Sequence, residues 1–219
     1  MHLKQYLKAV PLFDELGISE ITVLLESSHA KKFPKNSVII NDGDITDSLY
    51  IIVSGSVKIF LTDDNGKEVI LNVQSEGEFL GELALLDNQP RSASVKTLEP
   101  CEFIVISKQS FDQCLLSNPA MALKMMSTLT KRVRVLTDKV KNLALMGVYG
   151  RVVNALNHAA RLHEGILQTD RKMPHHDIAS MVGSSREMVS RVMKELADNG
   201  YIETRSGRVV LLKELPEIS

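Results

Sequence analysis

The spacing of apolar residues changes character twice along this chain of 219 residues, so no single architecture can run from one end to the other. From about residue 32 onward, short β-branched runs alternate with turn residues. Residues 37–40, 49–53, 56–61, 68–73, 93–98 and 102–106 each read as a strand. Asp63-Asp64-Asn65-Gly66 reads as a hairpin turn, because Asn-Gly tolerates positive φ. Many short strands with turns at regular spacing argue for an antiparallel barrel or jelly roll. Ahead of this region, residues 3–28 are expected to form an amphipathic helix with Leu12, Phe13, Leu16, Ile21, Leu24 and Leu25 as its apolar set.

After Pro119 the period lengthens. Met126, Val133 and Val140 recur at seven residues, and so do Leu129, Leu136 and Leu143, three positions further on. That is an a/d heptad seam. A single helix packed on its own domain would also show it. A two-stranded coiled coil joining two chains is the favoured reading, with Lys131, Arg132, Arg134, Lys139 and Lys141 facing solvent. Beyond residue 147 short helices return. A helix at 151–163 is followed by a loop at 164–172, a helix at 175–182, a turn at Gly183-Ser184 and a longer helix at 185–199. Short strands at 201–204 and 209–212 flank Arg205-Ser206-Gly207-Arg208, a hairpin. The expected class is therefore α+β, in three parts: a jelly-roll β-roll over 1–118, a dimerisation helix over 119–146 and a winged helix-turn-helix over 147–219.

Net charge is −1, but it is unevenly placed. Residues 1–118 carry 10 Lys/Arg against 17 Asp/Glu, residues 119–146 carry 6 against 1, and residues 147–219 carry 10 against 9. The acidic first part is a poor surface for a polyanion, so nucleic acid would have to bind further along. No apolar run reaches bilayer-spanning length, and no charged start precedes an apolar stretch with a cleavage site. A cytoplasmic address without membrane contact is expected. Cys101 and Cys114 fit a reduced compartment, and neither has a metal-ligand neighbour at a recognisable spacing, so neither a disulfide nor a metal site is expected.

Within the strand-rich part, residues 79–95 carry the most chemistry. Gly81 allows close backbone approach at the start of a short helical turn, leaving N–H groups free there. Arg91, after a loop stiffened by Pro90, can offer a guanidinium fork to a phosphate. Glu82 supplies acceptors for sugar hydroxyls, and Ser92 adds a hydroxyl donor. An anion-binding group beside a hydroxyl-binding group describes a nucleotide's sugar–phosphate. The plainer alternative is that Glu82 and Arg91 pair with each other at the surface.

In order and spacing, Gly81-Glu82-Leu83, the gap that follows, and Arg91-Ser92-Ala93 resemble the phosphate-binding cassette of cyclic-nucleotide-binding domains. Such cassettes occur in the bacterial cAMP receptor protein family and in regulatory subunits of cAMP-dependent kinases. The resemblance implies that Arg91 and Ser92 hold a cyclic phosphate, that Glu82 holds the ribose 2′-hydroxyl, and that backbone around Leu83 and Ala93 adds donors or acceptors.

Toward the end of the chain, Ile178, Ala179, Val182, Gly183, Val189, Val192 and Leu196 form the apolar skeleton of a helix-turn-helix, with Gly183 at its strained turn. Exposed at the start of the second helix are Arg186 and Arg191, which can present forks to guanine, and Glu187, which can accept from cytosine. His175, His176 and Ser185 can donate to phosphates and fix the register. An Arg-Glu surface that merely stays hydrated is the competing possibility. The run 176–191 is similar to the helix-turn-helix of the cAMP receptor protein/FNR superfamily, and with the cassette the resemblance covers essentially the whole chain. It implies a homodimer that reads a palindromic, TGTGA-like operator in double-stranded DNA, with cAMP as allosteric ligand and RNA polymerase as a further partner.

The pattern departs at the base. A Thr-Ser pair touches adenine in the cAMP receptor protein, and Leu136 and Thr137 stand there in this sequence. Leu136 can neither donate nor accept, so cGMP, a cyclic dinucleotide or ligand-independent DNA binding stay open beside cAMP. The N-terminal cysteine cluster of an iron–sulfur oxygen sensor is missing. An enzyme is not expected, because the cassette has no nucleophile beside a base and no His/Asp cluster for phosphodiesterase metals.

Overall fold

The computed structural model describes residues 6–8, 10–14 and 16–216. The chain divides into two compact units: Met1–Leu61 with Leu71–Arg134, and Thr62–Ile70 with Val135–Ser219.

In the first unit, β1 (Ser28–Phe33), β8 (Cys101–Ser107), β3 (Ser48–Ser54) and β6 (Phe79–Leu80) form one antiparallel sheet, in that order. The second sheet has the order β2 (Val38–Ile40), β7 (Ser94–Thr97), β4 (Ser56–Thr62) and β5 (Glu68–Ser75). Strands β3 and β8 are buried on both faces, which explains why they read as nearly unbroken apolar runs. Ile52, Phe103 and Val105 point to a core shared with Ile40, Val57 and Val95 of the other sheet. Their alternates Leu49, Ile51, Ile104 and Ile106 pack with Phe13, Leu24, Phe111 and Met121 on the opposite side. That opposite side is covered by three helices, α1 (Ile18–Glu26), α3 (Lys108–Ser117) and the first part of α4 (Pro119–Leu145), while α2 (Glu82–Asp87) follows β6. The turn at 63–66 forms as expected. Asp63 closes it by accepting from Gly66 N–H at 2.9 Å, and Gly66 sits at φ 79°.

Two expectations fail near the start of the chain. The helix expected over 3–28 is broken: residues 6–8 are helical, residues 11–14 form a turn, and α1 begins only at Ile18. Extended Gly17 donates its N–H to Glu20 Oε2 at 2.6 Å, a contact that starts a helix afresh. Pro11, without an N–H, disfavours a continuous ladder across the gap. Residues 1–5, 9 and 15 lie outside the described residues. The apolar set is nonetheless internal, with Leu12, Phe13, Leu16, Ile21 and Leu24 buried and Leu25 packed beside them. The second failure is β1, which carries no apolar alternation and so was not expected. It is an edge strand, mostly exposed, paired with β8 from Ser28↔Ile106 to Phe33↔Cys101. Lys31 lies 5.3 Å from the Phe33 ring centroid, and Lys32 meets its cross-strand partner Glu102 at 3.5 Å.

The heptad positions Met126, Val133, Leu136, Val140 and Leu143 on α4 are all exposed, while Leu129 packs against the first unit's core. The seam is therefore not consumed by burial in its own chain.

In the second unit, α5 (Val148–Ala159), α6 (His175–Val182) and α7 (Arg186–Asp198) pack around Val152, Leu156, Ile178, Val189, Val192 and Leu196. Beside them lies an antiparallel sheet in the order β11 (Ile202–Arg205), β12 (Arg208–Leu211), β10 (Ile166–Thr169), β9 (Ala160–His163). The helix expected at 151–163 and the loop expected at 164–172 are corrected here. The helix stops at Ala159, and 160–169 is a hairpin whose two-residue turn, Glu164-Gly165, has φ 50° and 80°. That primed turn matches strand twist, and pairing with β12 holds good helix formers in an extended conformation. The hairpin at Ser206-Gly207 has the same turn geometry and matches the hairpin that the sequence predicts.

Candidate functional site

The first site is built on Gly81, the residue preceding α2. Gly81 has φ +86°, and a Cβ there would stand 2.3 Å from Arg91 Nη1 and 3.1 Å from Ser48 O. Only glycine lets the chain turn here and admit the guanidinium. Arg91 is 3% exposed and held on every side of its fork. Nε donates to Thr46 Oγ1 at 2.5 Å, Nη1 to Gly81 O at 2.5 Å and Nη2 to Ser48 O at 2.6 Å. Its backbone is pinned as well, with Arg91 N–H donating to Asp44 O and Gly43 N–H to Arg91 O. Burial lowers the Arg91 pKa, and the nearby Tyr50, Glu82, Asp47 and Asp44 oppose that shift. A guanidinium has five N–H donors, so two remain beyond the three bonds named.

Glu82 is also 3% exposed, so the surface Glu82–Arg91 pair is not what forms. The partner of Glu82 is Arg132 of α4, whose Nη1 donates to Oε1 at 2.5 Å. Arg132 further donates from Nη2 to Phe79 O at 2.8 Å and stacks 4.8 Å from the Phe79 ring centroid. This corrects the expectation that Arg132 faces solvent, and it adds a residue that sequence reasoning missed. Its helical position was legible, but the neighbour it reaches was not.

Gly81, Glu82, Leu83, Arg91, Ser92 and Ala93 come together around one small cavity of about 70 Å³, together with Arg132 and an apolar floor from Ile40, Ile59 and Val95. Leu83 and Ser92 are exposed and Ala93 is half-buried. Leu136 and Thr137 are exposed residues of α4 and are not part of that lining.

The second site is the surface of α7. Ser185 caps the helix by accepting Met188 N–H at 3.2 Å. Arg186, Glu187 and Arg191 follow, all exposed at its beginning. Hydrogen bonds from its own backbone N–H and from Ser185 hold the Glu187 carboxyl below the usual range, with Arg186 and Arg191 adding to the effect. Gly183 takes the turn at φ +61°. His175 opens α6 and is joined across the motif to Ser190, Nδ1 to Oγ 2.8 Å. Exposed His176 instead lies 3.0 Å from Asp177. Arg151, which no spacing marked, donates to Met146 O and to Val182 O, both at 2.8 Å. It thereby ties the carbonyls that end α4 to those that end α6, where a cation is favourable.

Comparison with known proteins matches both parts of the chain at the level of domains. A cyclic nucleotide-binding domain matches residues 30–118, and a Crp-like helix-turn-helix domain matches residues 150–216. The chain is 35% identical over 191 residues to the cAMP-activated global transcriptional regulator CRP of Salmonella typhimurium, covering 85% of this chain and 91% of that one. It is 32% identical over 201 residues to Vfr, a cAMP-activated global transcriptional regulator of Pseudomonas aeruginosa, covering 89% and 94%. Among solved structures it resembles the c-di-GMP responsive global regulator CLP of Xanthomonas campestris, with TM-score 0.77, 29% identity, and coverage of 90% and 100%. With both halves matched in order and with relatives that are regulators rather than enzymes, the chain belongs to the CRP/FNR family of DNA-binding transcription regulators that carry a cyclic nucleotide-binding domain.

Proposed function

We propose that the effector is cAMP and that it turns a cytoplasmic homodimer into a reader of a palindromic, TGTGA-like operator. The observation that carries this reading is Arg91: buried, braced by three protein acceptors, with two N–H donors beyond those bonds, and lining the same cavity as Glu82. Those two donors suit the exocyclic oxygens of a cyclic phosphate, Glu82 suits the ribose 2′-hydroxyl, and Gly81, Leu83, Ser92 and Ala93 shape the rest of the sugar–phosphate site.

The cavity is far below the roughly 300–1,000 Å³ usual for small-molecule sites. Ligand entry therefore has to part Arg132 from Glu82. Because Arg132 belongs to α4, occupancy of the pocket is felt on the helix that bears the dimer seam, and the equilibrium between helix arrangements shifts with it. In the dimer, Arg186, Glu187 and Arg191 of each chain read one half-site, while Ser185, His175 and His176 contact phosphates. RNA polymerase is the expected downstream partner.

Titration with cAMP, cGMP and cyclic di-GMP by calorimetry, with Arg91→Leu as control, tests the effector. Micromolar cAMP binding near one per chain that is lost in Arg91→Leu supports the reading. Binding of cyclic di-GMP alone favours the second reading, for which the likeness to the c-di-GMP responsive CLP and the apolar Leu136 speak. Operator affinity unchanged by any of the three would make DNA binding ligand-independent.

A further inference from the structure

The helix-turn-helix contains one side-chain bond between its two helices that neither the apolar skeleton nor base reading requires. Ser190 lies on α7 between Glu187 and Arg191, and its Oγ is 2.8 Å from Nδ1 of His175, the first residue of α6. A hydroxyl within a helix ordinarily donates back to the carbonyl four residues earlier. Thr22 does so to Ile18, Thr128 to Lys124 and Thr130 to Met126, at 2.8–3.0 Å. Among the described residues Ser190 makes no such bond to Arg186, and His175 Nδ1 is its partner. With the Ser190 O–H donating to Nδ1, the imidazole carries its own proton on Nε2, on the far side of the ring.

We propose that Ser190 is a positioning residue for DNA: it holds His175 as a fixed, neutral Nε2–H donor to a backbone phosphate, so that both helices of the motif are tied to one phosphodiester. The inference rests on the DNA-reading part of the proposed function. Its chemical basis is that the first helix of such a motif crosses the sugar–phosphate backbone while the second lies in the major groove. A donor whose tautomer is set before binding loses less on association than a ring free to rotate or to present a bare nitrogen. The second nitrogen of a metal-ligating histidine is fixed by the same logic. His176 lacks this brace, because its contact is with Asp177 on its own helix.

The test compares wild type, Ser190→Ala and Ser190→Thr on a TGTGA palindrome and on a scrambled duplex of equal length, across a salt series. Imidazole nitrogen NMR of the free protein reports the tautomer. Losing one charge-assisted bond per half-site weakens binding of Ser190→Ala by about tenfold per half-site, about a hundredfold for the dimer, on both duplexes. A neutral donor releases no counterion, so the slope of log affinity against log salt stays that of wild type. Ser190→Thr, which keeps the hydroxyl, stays within about twofold of wild type by the same bookkeeping. A thermal midpoint equal to wild type separates this effect from unfolding. The proposal is overturned if Ser190→Ala binds both duplexes as wild type does, if threonine fails to rescue, or if the free protein carries the proton on Nδ1. Equal wild-type affinity for palindrome and scrambled duplex would sink the operator reading while leaving the phosphate anchor standing. Failure to bind either duplex would refute both.

Discussion

Replacing Arg91 by lysine keeps the charge and removes the fork, which separates two accounts of the phosphate site. Arg91 meets Thr46 Oγ1, Gly81 O and Ser48 O with three N–H groups in one plane. An ammonium has all its donors on a single nitrogen and cannot satisfy acceptors placed around a guanidinium. At least two of the three lose their partner. With about 1.5 kcal/mol for each of two buried acceptors, the expectation is a loss of about 3 kcal/mol. For a chain of this size that corresponds to a fall of about 6–12 °C in Tm, measured at fixed protein concentration because a dimer's midpoint depends on it. The two remaining donors, proposed to meet the phosphate, are lost as a pair too. At about 1.5 kcal/mol each, cAMP affinity falls by a little over a hundredfold. Scanning calorimetry and titration calorimetry on the same preparation give both numbers. If Arg91→Lys melts within a degree of wild type and binds cAMP equally well, charge alone suffices and the argument from the fork is wrong.

Further expectations follow from the other contacts. Arg186→Ala should lose about 1–3 kcal/mol on the cognate duplex and relax selectivity at one base pair, as read by competition against single-position variants; unchanged selectivity would remove Arg186 from the readers. Val140→Glu places a charge on the exposed seam and should turn the dimer into a monomer in analytical ultracentrifugation, and a persisting dimer would refute the heptad reading. Arg132→Ala leaves buried Glu82 without its partner and should destabilise by about 2 kcal/mol, less than a fully buried pair because the Arg132 side chain is 22% exposed. A chemical-denaturation difference below about 0.5 kcal/mol, the ordinary scale of surface substitutions, would contradict it. Gly183→Ala combines φ +61° with a Cβ 3.1 Å from Leu143 and should cost about 1–2 kcal/mol, seen as a lower denaturation midpoint with unchanged slope.

Elements that present an apolar run or a regular apolar period were legible in the sequence: β3 and β8 as runs, and α6, α7 and the heptads of α4 as periods. So was the cassette, because Gly81 and Arg91 are chemically unusual residues whose spacing is itself informative. What escaped had no local signature. Strand β1 is polar throughout and exists because β8 offers it an edge. Ala160-Arg161-Leu162-His163 would suit a helix, and pairing with β10 overrides that preference. Gly17 ends one segment and starts another without breaking the apolar pattern of residues 12–25. Arg132 and Arg151 were recognisable as cations, but their acceptors Glu82, Phe79, Met146 and Val182 are brought to them only by the fold.

The open side of β1 bears on how concentrated this protein can become. A free strand edge is a template for adding strands from other molecules, and a long flat one invites aggregation. Here consecutive Lys31 and Lys32 occupy that edge, and four central residues of the strand are exposed. A second copy approaching edge to edge in parallel register would set lysine against lysine, and an antiparallel one would still crowd four lysines along the two strands. The roll therefore discourages sheet-to-sheet polymerisation at that edge.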